Sequence, residues 1–240
     1  MKKTLKYLTT AGMIGLASLV PIKGLEAQAS NNDGTPLEEA SSIKMDFGAE
    51  NSIWSKFMWL GMPFSEGFVY QPVATATYKG IGANTFANVD WTNKKLKEVD
   101  LGVSYSNSKG PVNAKIGFTH MAFDNGNEKW DSETKTYLDI GVKTPLNPSL
   151  SIQRFDGYDA GNVAVFSVGG DIPKGKISWS ASTAYNGGVF REKYGVGNLE
   201  TSLSKSFEVS GTKFTPKIIF SKGLQSDIPN QIYGGLTVNW

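Results

Sequence analysis

The residues of this chain that could do chemistry are mostly charges placed at every second position. Lys44, Asp46 and Glu50 share one face of an alternating run, Asp100 and Lys115 sit in two later runs, and Asp139, Lys143, Glu200 and Lys217 continue the pattern. Each falls on the face that also carries Gly, Ser, Thr and Asn, opposite the apolar one. Both signs are present, and neighbouring runs set Asp100 against Lys115 and Glu200 against Lys217. Such a face either neutralises itself inside a narrow interior, where ions need partners, or lines a watery path that sorts solutes by charge. Mixed signs argue against a strong preference for anions or for cations.

Other chemistry is scarce. The chain has no Cys, and His120 is its only histidine. His120 continues the apolar series Val112, Ala114, Ile116 and Phe118. A hydrolase acting on lipid at a membrane surface could carry its base there, but a nucleophile must stand within hydrogen-bond reach. Ala122 is two residues along, and the neighbours expected across the sheet are Val99 and Tyr137. An interfacial histidine is the expectation, with no catalytic site. Asp124-Asn125-Gly126-Asn127-Glu128 fails the twelve-residue ligand pattern of a calcium loop and reads as a solvated turn. No metal and no cofactor are expected.

The elements that must hold these charges are strands. Period-two alternation marks about twelve runs, near 43–61, 68–79, 81–92, 97–108, 111–123, 134–144, 149–156, 162–170, 175–186, 196–206, 213–222 and 231–240. Ile177, Trp179, Ala181, Thr183 and Tyr185 alternate with small polar residues, and Val99, Leu101, Val103 and Tyr105 do the same. Short turns such as Lys79-Gly80 and Lys109-Gly110 alternate with mostly longer, more polar loops. That pattern predicts an all-β, up-and-down antiparallel transmembrane barrel with unlike ends and both termini at the short-turn end. Tyr78 and Trp240 near the turns, and Trp59, Trp91 and Tyr185 near the loops, predict two aromatic girdles facing lipid. Three places resist the pattern. Residues 49–61 put Asn51 and Ser55 on the apolar face, which suggests a bulge. Arg154 shares a face with Leu150 and Ile152, a position for snorkelling or for lying above the bilayer. The run at 162–170 is apolar on both faces and has no evident inner side.

Export is read from residues 1–29. Lys2, Lys3 and Lys6 precede an uncharged stretch from residue 7 to residue 22, and Ala27-Gln28-Ala29 suits cleavage before Ser30. Removing that segment removes four Lys and one Glu, so the formal charge of +2 becomes −1. A basic footprint for nucleic acid is therefore missing. Residues 30–42 read as a polar periplasmic leader and residues 43–240 as the barrel.

The terminal residues Tyr233, Gly235, Val238 and Trp240 are similar to the C-terminal signal read by the barrel assembly machinery of outer membranes. Ser55-Lys56-Phe57-Met58-Trp59-Leu60-Gly61, Gln71-Pro72, Tyr78-Lys79-Gly80 and Glu98-Val99-Asp100-Leu101 resemble a group of small TorF-like outer-membrane porins. The resemblance implies a small barrel among outer-membrane lipid and lipopolysaccharide, and a narrow channel for passive passage of small hydrophilic solutes. It brings no catalytic residues. A non-conducting structural or binding barrel is the alternative, and a surface lipid hydrolase the less favoured one. If the terminal residues carry the assembly signal, Trp240→Ala should lower the yield of assembled barrel in cells. Heat-modifiable mobility on gels measures this, and undiminished assembly would show the likeness to be coincidence.

Overall fold

The computed structural model describes residues 45–65, 67–124, 130–173, 177–189 and 194–240. The expected leader segments and Lys44 lie outside these residues, as do positions 125–128 of the candidate calcium loop. Every regular element among the described residues is a strand.

Twelve long strands follow one another: β1 (Asp46–Trp54), β2 (Val69–Tyr78), β3 (Ile81–Asp90), β4 (Lys95–Lys109), β5 (Val112–Asp124), β6 (Trp130–Val142), β7 (Ser149–Gly157), β8 (Gly161–Ile172), β9 (Ile177–Gly187), β10 (Gly195–Lys205), β11 (Thr212–Gly223) and β12 (Gln231–Asn239). Each pairs antiparallel with its neighbours in sequence. The ends meet where β1 pairs β12, from Glu50 opposite Asn239 to Trp54 opposite Gly235. The sheet is a closed barrel, and closure leaves no row of bare N–H and C=O groups at an edge. The shortest of these strands have nine residues, enough to cross a bilayer at a tilt.

Alternation fixes which side chains face out. Leu101, Val103, Tyr105, Ile116, Phe118, Leu138, Ile140 and Ile152 form an apolar outer surface, with Leu101 60% and Ile116 55% exposed. In water such a continuous patch would be an aggregation hazard; in lipid it is the favourable surface. The turns at the opposite end are tight. Lys79 (φ 48°) and Gly80 (φ 86°) both take positive φ, as do Ser210 (φ 51°) and Gly211 (φ 82°). That is the two-residue hairpin geometry whose twist matches the flanking strands. The Ser210-Gly211 turn is tighter than the gap between the runs expected at 196–206 and 213–222, because Phe207–Val209 pairs with the start of β11.

The first run ends sooner than its alternation suggests. β1 stops at Trp54, and residues 55–65 carry their own two-residue ladder, Met58–Trp59 against Met62–Pro63. No bulge occurs in β1, whose pairing is continuous on both sides. Asn51 stays on the outer face, buried, and accepts a hydrogen bond from the Tyr70 hydroxyl. A polar group toward lipid needs such a partner. Register shifts fall instead at Asn88/Val89 and Ala184/Tyr185. Arg154 lies on the outer face near the loop end of β7, 60% exposed at its side chain, and pairs with Asp156 at 2.9 Å.

The terminal strand splits as its alternation predicts. Tyr233 points inward and donates to Glu200 at 3.2 Å, while Leu236 and Val238 lie on the outer face. Gly235 has a steric reason to be glycine: a Cβ there would stand 2.3 Å from Trp54 Cε3. Gly235→Ala should push Trp54 off its seat and cost about 1–3 kcal/mol. Urea unfolding of the refolded barrel should show the loss as a lower midpoint, and an unchanged midpoint would mean the indole relaxes freely.

Candidate functional site

The inner face surrounds a cavity of about 400 Å³ walled by β2 to β7. Thr75, Asn84, Thr119 and Gln153 line it, with Asp100, Lys115, Lys135, Tyr137 and Asp139. The register orders these groups along the barrel. Asp100 faces Met121, which faces Glu133. One step toward the turns, Thr119 faces Lys135; next, Gly117 faces Tyr137; then Lys115 faces Asp139. Tyr137 lies over Gly117, where a Cβ would approach the phenol ring to 2.3 Å. The Lys115 and Lys135 ammoniums stand 5.6 and 5.9 Å from the ring centre.

Three residues expected in the lumen, Asp100, Lys115 and Asp139, thus line one cavity. The expected pairing of Asp100 with Lys115 does not occur. The antiparallel register places Ser106 opposite Lys115 on β4, six positions from Asp100. Glu200 and Lys217 are likewise not opposite: Glu200 faces Ser221, and Lys217 faces Ser204. Glu200 is instead held by the Tyr233 hydroxyl. Neighbouring strands run in opposite directions with stagger, so sharing adjacent strands does not put two charges at one height. Glu50 lies on the inner face of β1 beside Ser52, whose hydroxyl is 3.5 Å away. Asp46 and Lys143 are exposed at the turn-end rim.

His120 is on the outer face, as expected, but its cross-strand neighbours are Leu101 and Thr134 rather than Val99 and Tyr137. Tyr137 shares the inner parity of Asp139 and belongs to the cavity wall. The same parity points to Lys135 and Glu133, which sequence reasoning passed over. Glu133 is 1% exposed, and neither carboxyl oxygen has a hydrogen-bond partner. Near it, in the turn after β7, burial pushes the Asp159 carboxyl above the usual range.

The loop end of the barrel is obstructed from within. The hairpin in residues 55–65 is tied by Phe64 N–H to Phe57 C=O at 2.8 Å and by Phe57 N–H to Ser65 Oγ at 3.1 Å. Its tip, Leu60 (φ 49°) and Gly61 (φ 82°), folds inward. Trp59 meets Phe155 edge-on at 5.6 Å and packs with Leu60 against the buried cluster of Met121, Phe155, Val163 and Val189. A Cβ on Gly61 would stand 2.9 Å from both Asn198 and Ile228, so the tip reaches β10 and the loop after β11. Lys56 donates to Gln231 at 2.7 Å. Trp59 is therefore an interior residue, not part of a lipid girdle. Its bed accounts for the doubly apolar run on β8: Val163 and Val165 face inward against the hairpin, and Phe166 faces outward.

No protein-family profile matches the chain, and no curated protein sequence matches it. A solved structure described as the KdgM porin in complex with disordered oligogalacturonate is similar, with a TM-score of 0.57 and 10% identity over 81% of this chain and 98% of that one. Weaker likenesses are to Pseudomonas aeruginosa OccK5 (OpdH), with a TM-score of 0.41 and 10% identity over 82% of this chain and 66% of that one, and to the translocator domain of the autotransporter NalP from Neisseria meningitidis, with 0.38 and 10% over 100% and 96%. At these identities the first likeness shows a shared barrel fold, and the other two carry no argument.

The hairpin generates a prediction of its own. Trp59→Ala removes the side chain that fastens the tip to Phe155, so any ion path through the barrel should widen. Single-channel conductance of the refolded variant should rise about twofold or more over the parent. Equal conductance would mean that the hairpin does not limit the path.

Proposed function

We propose that this chain is an outer-membrane channel through which small hydrophilic solutes pass passively. The observation that carries the reading is the pairing of an apolar outer face with a polar, charged cavity inside one closed barrel. A barrel that served only as an anchor would need the first feature and not the second. In this reading residues 1–29 direct export, residues 30–42 form a periplasmic leader, and outer-membrane lipid and lipopolysaccharide surround the apolar band. Tyr233, Gly235, Val238 and Trp240 are read by the barrel assembly machinery during insertion. The TorF-like resemblance fits here, since its longest matching stretch, Ser55 to Gly61, makes most of the inward arm of the hairpin.

The lumen set of Lys44, Asp46, Glu50, Asp100, Lys115, Asp139, Lys143, Glu200 and Lys217 is proposed to line the path, joined by Lys135 and Tyr137. Twelve strands give a bore between that of filled eight-stranded barrels and open sixteen-stranded ones, and the hairpin narrows it further. The KdgM porin, of similar fold, is described in complex with disordered oligogalacturonate, which supports a solute-binding interior for this fold. The hairpin also motivates the rival reading of a silent structural or binding barrel, because Trp59 and Leu60 fill part of the loop end. Planar-bilayer recording of the refolded protein decides between them. Discrete conductance steps in KCl are expected. A barrel with no conductance and no solute uptake into liposomes would overturn the channel reading.

A further inference from the structure

We propose that the cavity wall around Tyr137 is a subsite for small dipolar ions, solutes that carry one ammonium and one carboxylate, as amino acids do. The proposal rests on the channel reading for its role and on the cavity itself for its chemistry.

The wall presents charge in a fixed order. Going from the loop end toward the turns, the successive levels hold Asp100, Lys135, Tyr137, and then Lys115 with Asp139. Levels two residues apart along a strand are separated by about 7 Å. Each ammonium therefore has a carboxylate nearby. Lys135 sits one level from Asp100 and two strands across, both lining the same cavity, and Lys115 faces Asp139 directly in the register.

Neither pair closes. The ion pairs Lys97 with Asp124 and Arg154 with Asp156 include none of these four groups. Both lysines lie toward the Tyr137 ring instead. Asp100 is 8% exposed, lines the cavity, and its Oδ1 has no hydrogen-bond partner. Two open ammonium–carboxylate gaps thus flank one aromatic ring that lies over Gly117.

The chemistry of the solute follows from the balance of charge. Among the charged side chains that line the cavity, an anion gains from two lysines and is repelled by two aspartates. A cation meets the reverse. A neutral polyol takes hydrogen bonds from the wall but gains nothing from the charges. A dipolar ion can set its carboxylate at Lys135 and its ammonium at Asp100 and gain at both ends. Such a fit favours it over singly charged or neutral solutes of like size.

Saturation-transfer NMR on the refolded, detergent-solubilised barrel tests this with L-serine, erythritol, lactate and ethanolammonium as probes. L-serine should receive the strongest transfer, and its signal should fall about fivefold or more in Lys135→Met and in Asp100→Asn. Lys109→Met, at the exposed turn end of β4, should keep the preference. Unheated gel mobility checks that each variant is folded, and Asp139→Asn substitutes for any that is not. Equal transfer to L-serine and erythritol, a stronger response to lactate alone, or a preference that survives both substitutions would overturn the proposal. KCl conductance separates this from the channel reading. A silent barrel that still prefers L-serine keeps the subsite and loses the channel, and a conducting barrel without the preference does the reverse.

Discussion

The pairing of β1 with β12 is the contact on which the rest of the structure depends. Lipid offers no water to an unpaired peptide group, so a sheet in a membrane must close or fail. Here closure runs from Glu50 opposite Asn239 to Trp54 opposite Gly235. Trp54 and Gly235 meet on the inner side of that seam, and the indole occupies space that any Cβ at residue 235 would claim. The last strand is held by both neighbours, and Tyr233 adds a side-chain tie to Glu200 across the lumen wall. Residues 235–239 are therefore paired with a neighbouring strand on both sides.

Closure also imposes sidedness. Once the strands are locked in a ring, every second residue faces outward and every other one faces the interior. The outer face shows the consequence plainly at Leu101, Val103, Ile116 and Ile152. The inner face is less uniform because two different things fill it. Along β4 to β7 it meets water, and the residues are Asp100, Thr119, Lys135, Asp139 and Gln153. At the loop end of β7 and β8 it meets the hairpin, and the residues are Phe155, Val163 and Val165. A polar inner face is thus not a property of the barrel as such. It marks the part of the interior that no protein covers.

That distinction explains how much could be read from sequence. Strand count, order and face followed from alternation, because a period of two survives wherever one side is lipid. The failures cluster at the hairpin. Residues 49–61 look like one long strand because Phe57 and Trp59 continue the alternation past Trp54, yet they serve a different apolar environment inside the barrel. The run at 162–170 could not be given an inner side for the matching reason. A pattern of polar and apolar residues records burial against something apolar and does not say whether that is lipid or protein. The charge pairs failed for another reason: Asp100 and Lys115 sit on adjacent strands, but height in the barrel depends on register. Turn lengths alone do not set it. Lys135 and Tyr137 were legible in principle, since both share the parity of Asp139 on β6.

Packing and charge divide the lumen between them. The hairpin is held by apolar contact at Phe155 and by close approach at Gly61, neither of which needs a solute or a counter-ion. The wall beyond it holds ammonium and carboxylate groups that do not complete ion pairs with one another. An ion inside a narrow interior is costly unless water or an opposite charge attends it. Fully paired, Lys115 and Asp139 would form an inert strut. Held apart, with the two lysines drawn toward the Tyr137 ring, they keep a field across the cavity that must be answered from outside the protein. A barrel built only to stand in a membrane gains nothing from that arrangement. In the proposed channel the hairpin sets the width at the loop end, and the open charge pairs set what is stabilised within it. Separate residues carry the two properties, so size and charge selection can vary independently in this fold.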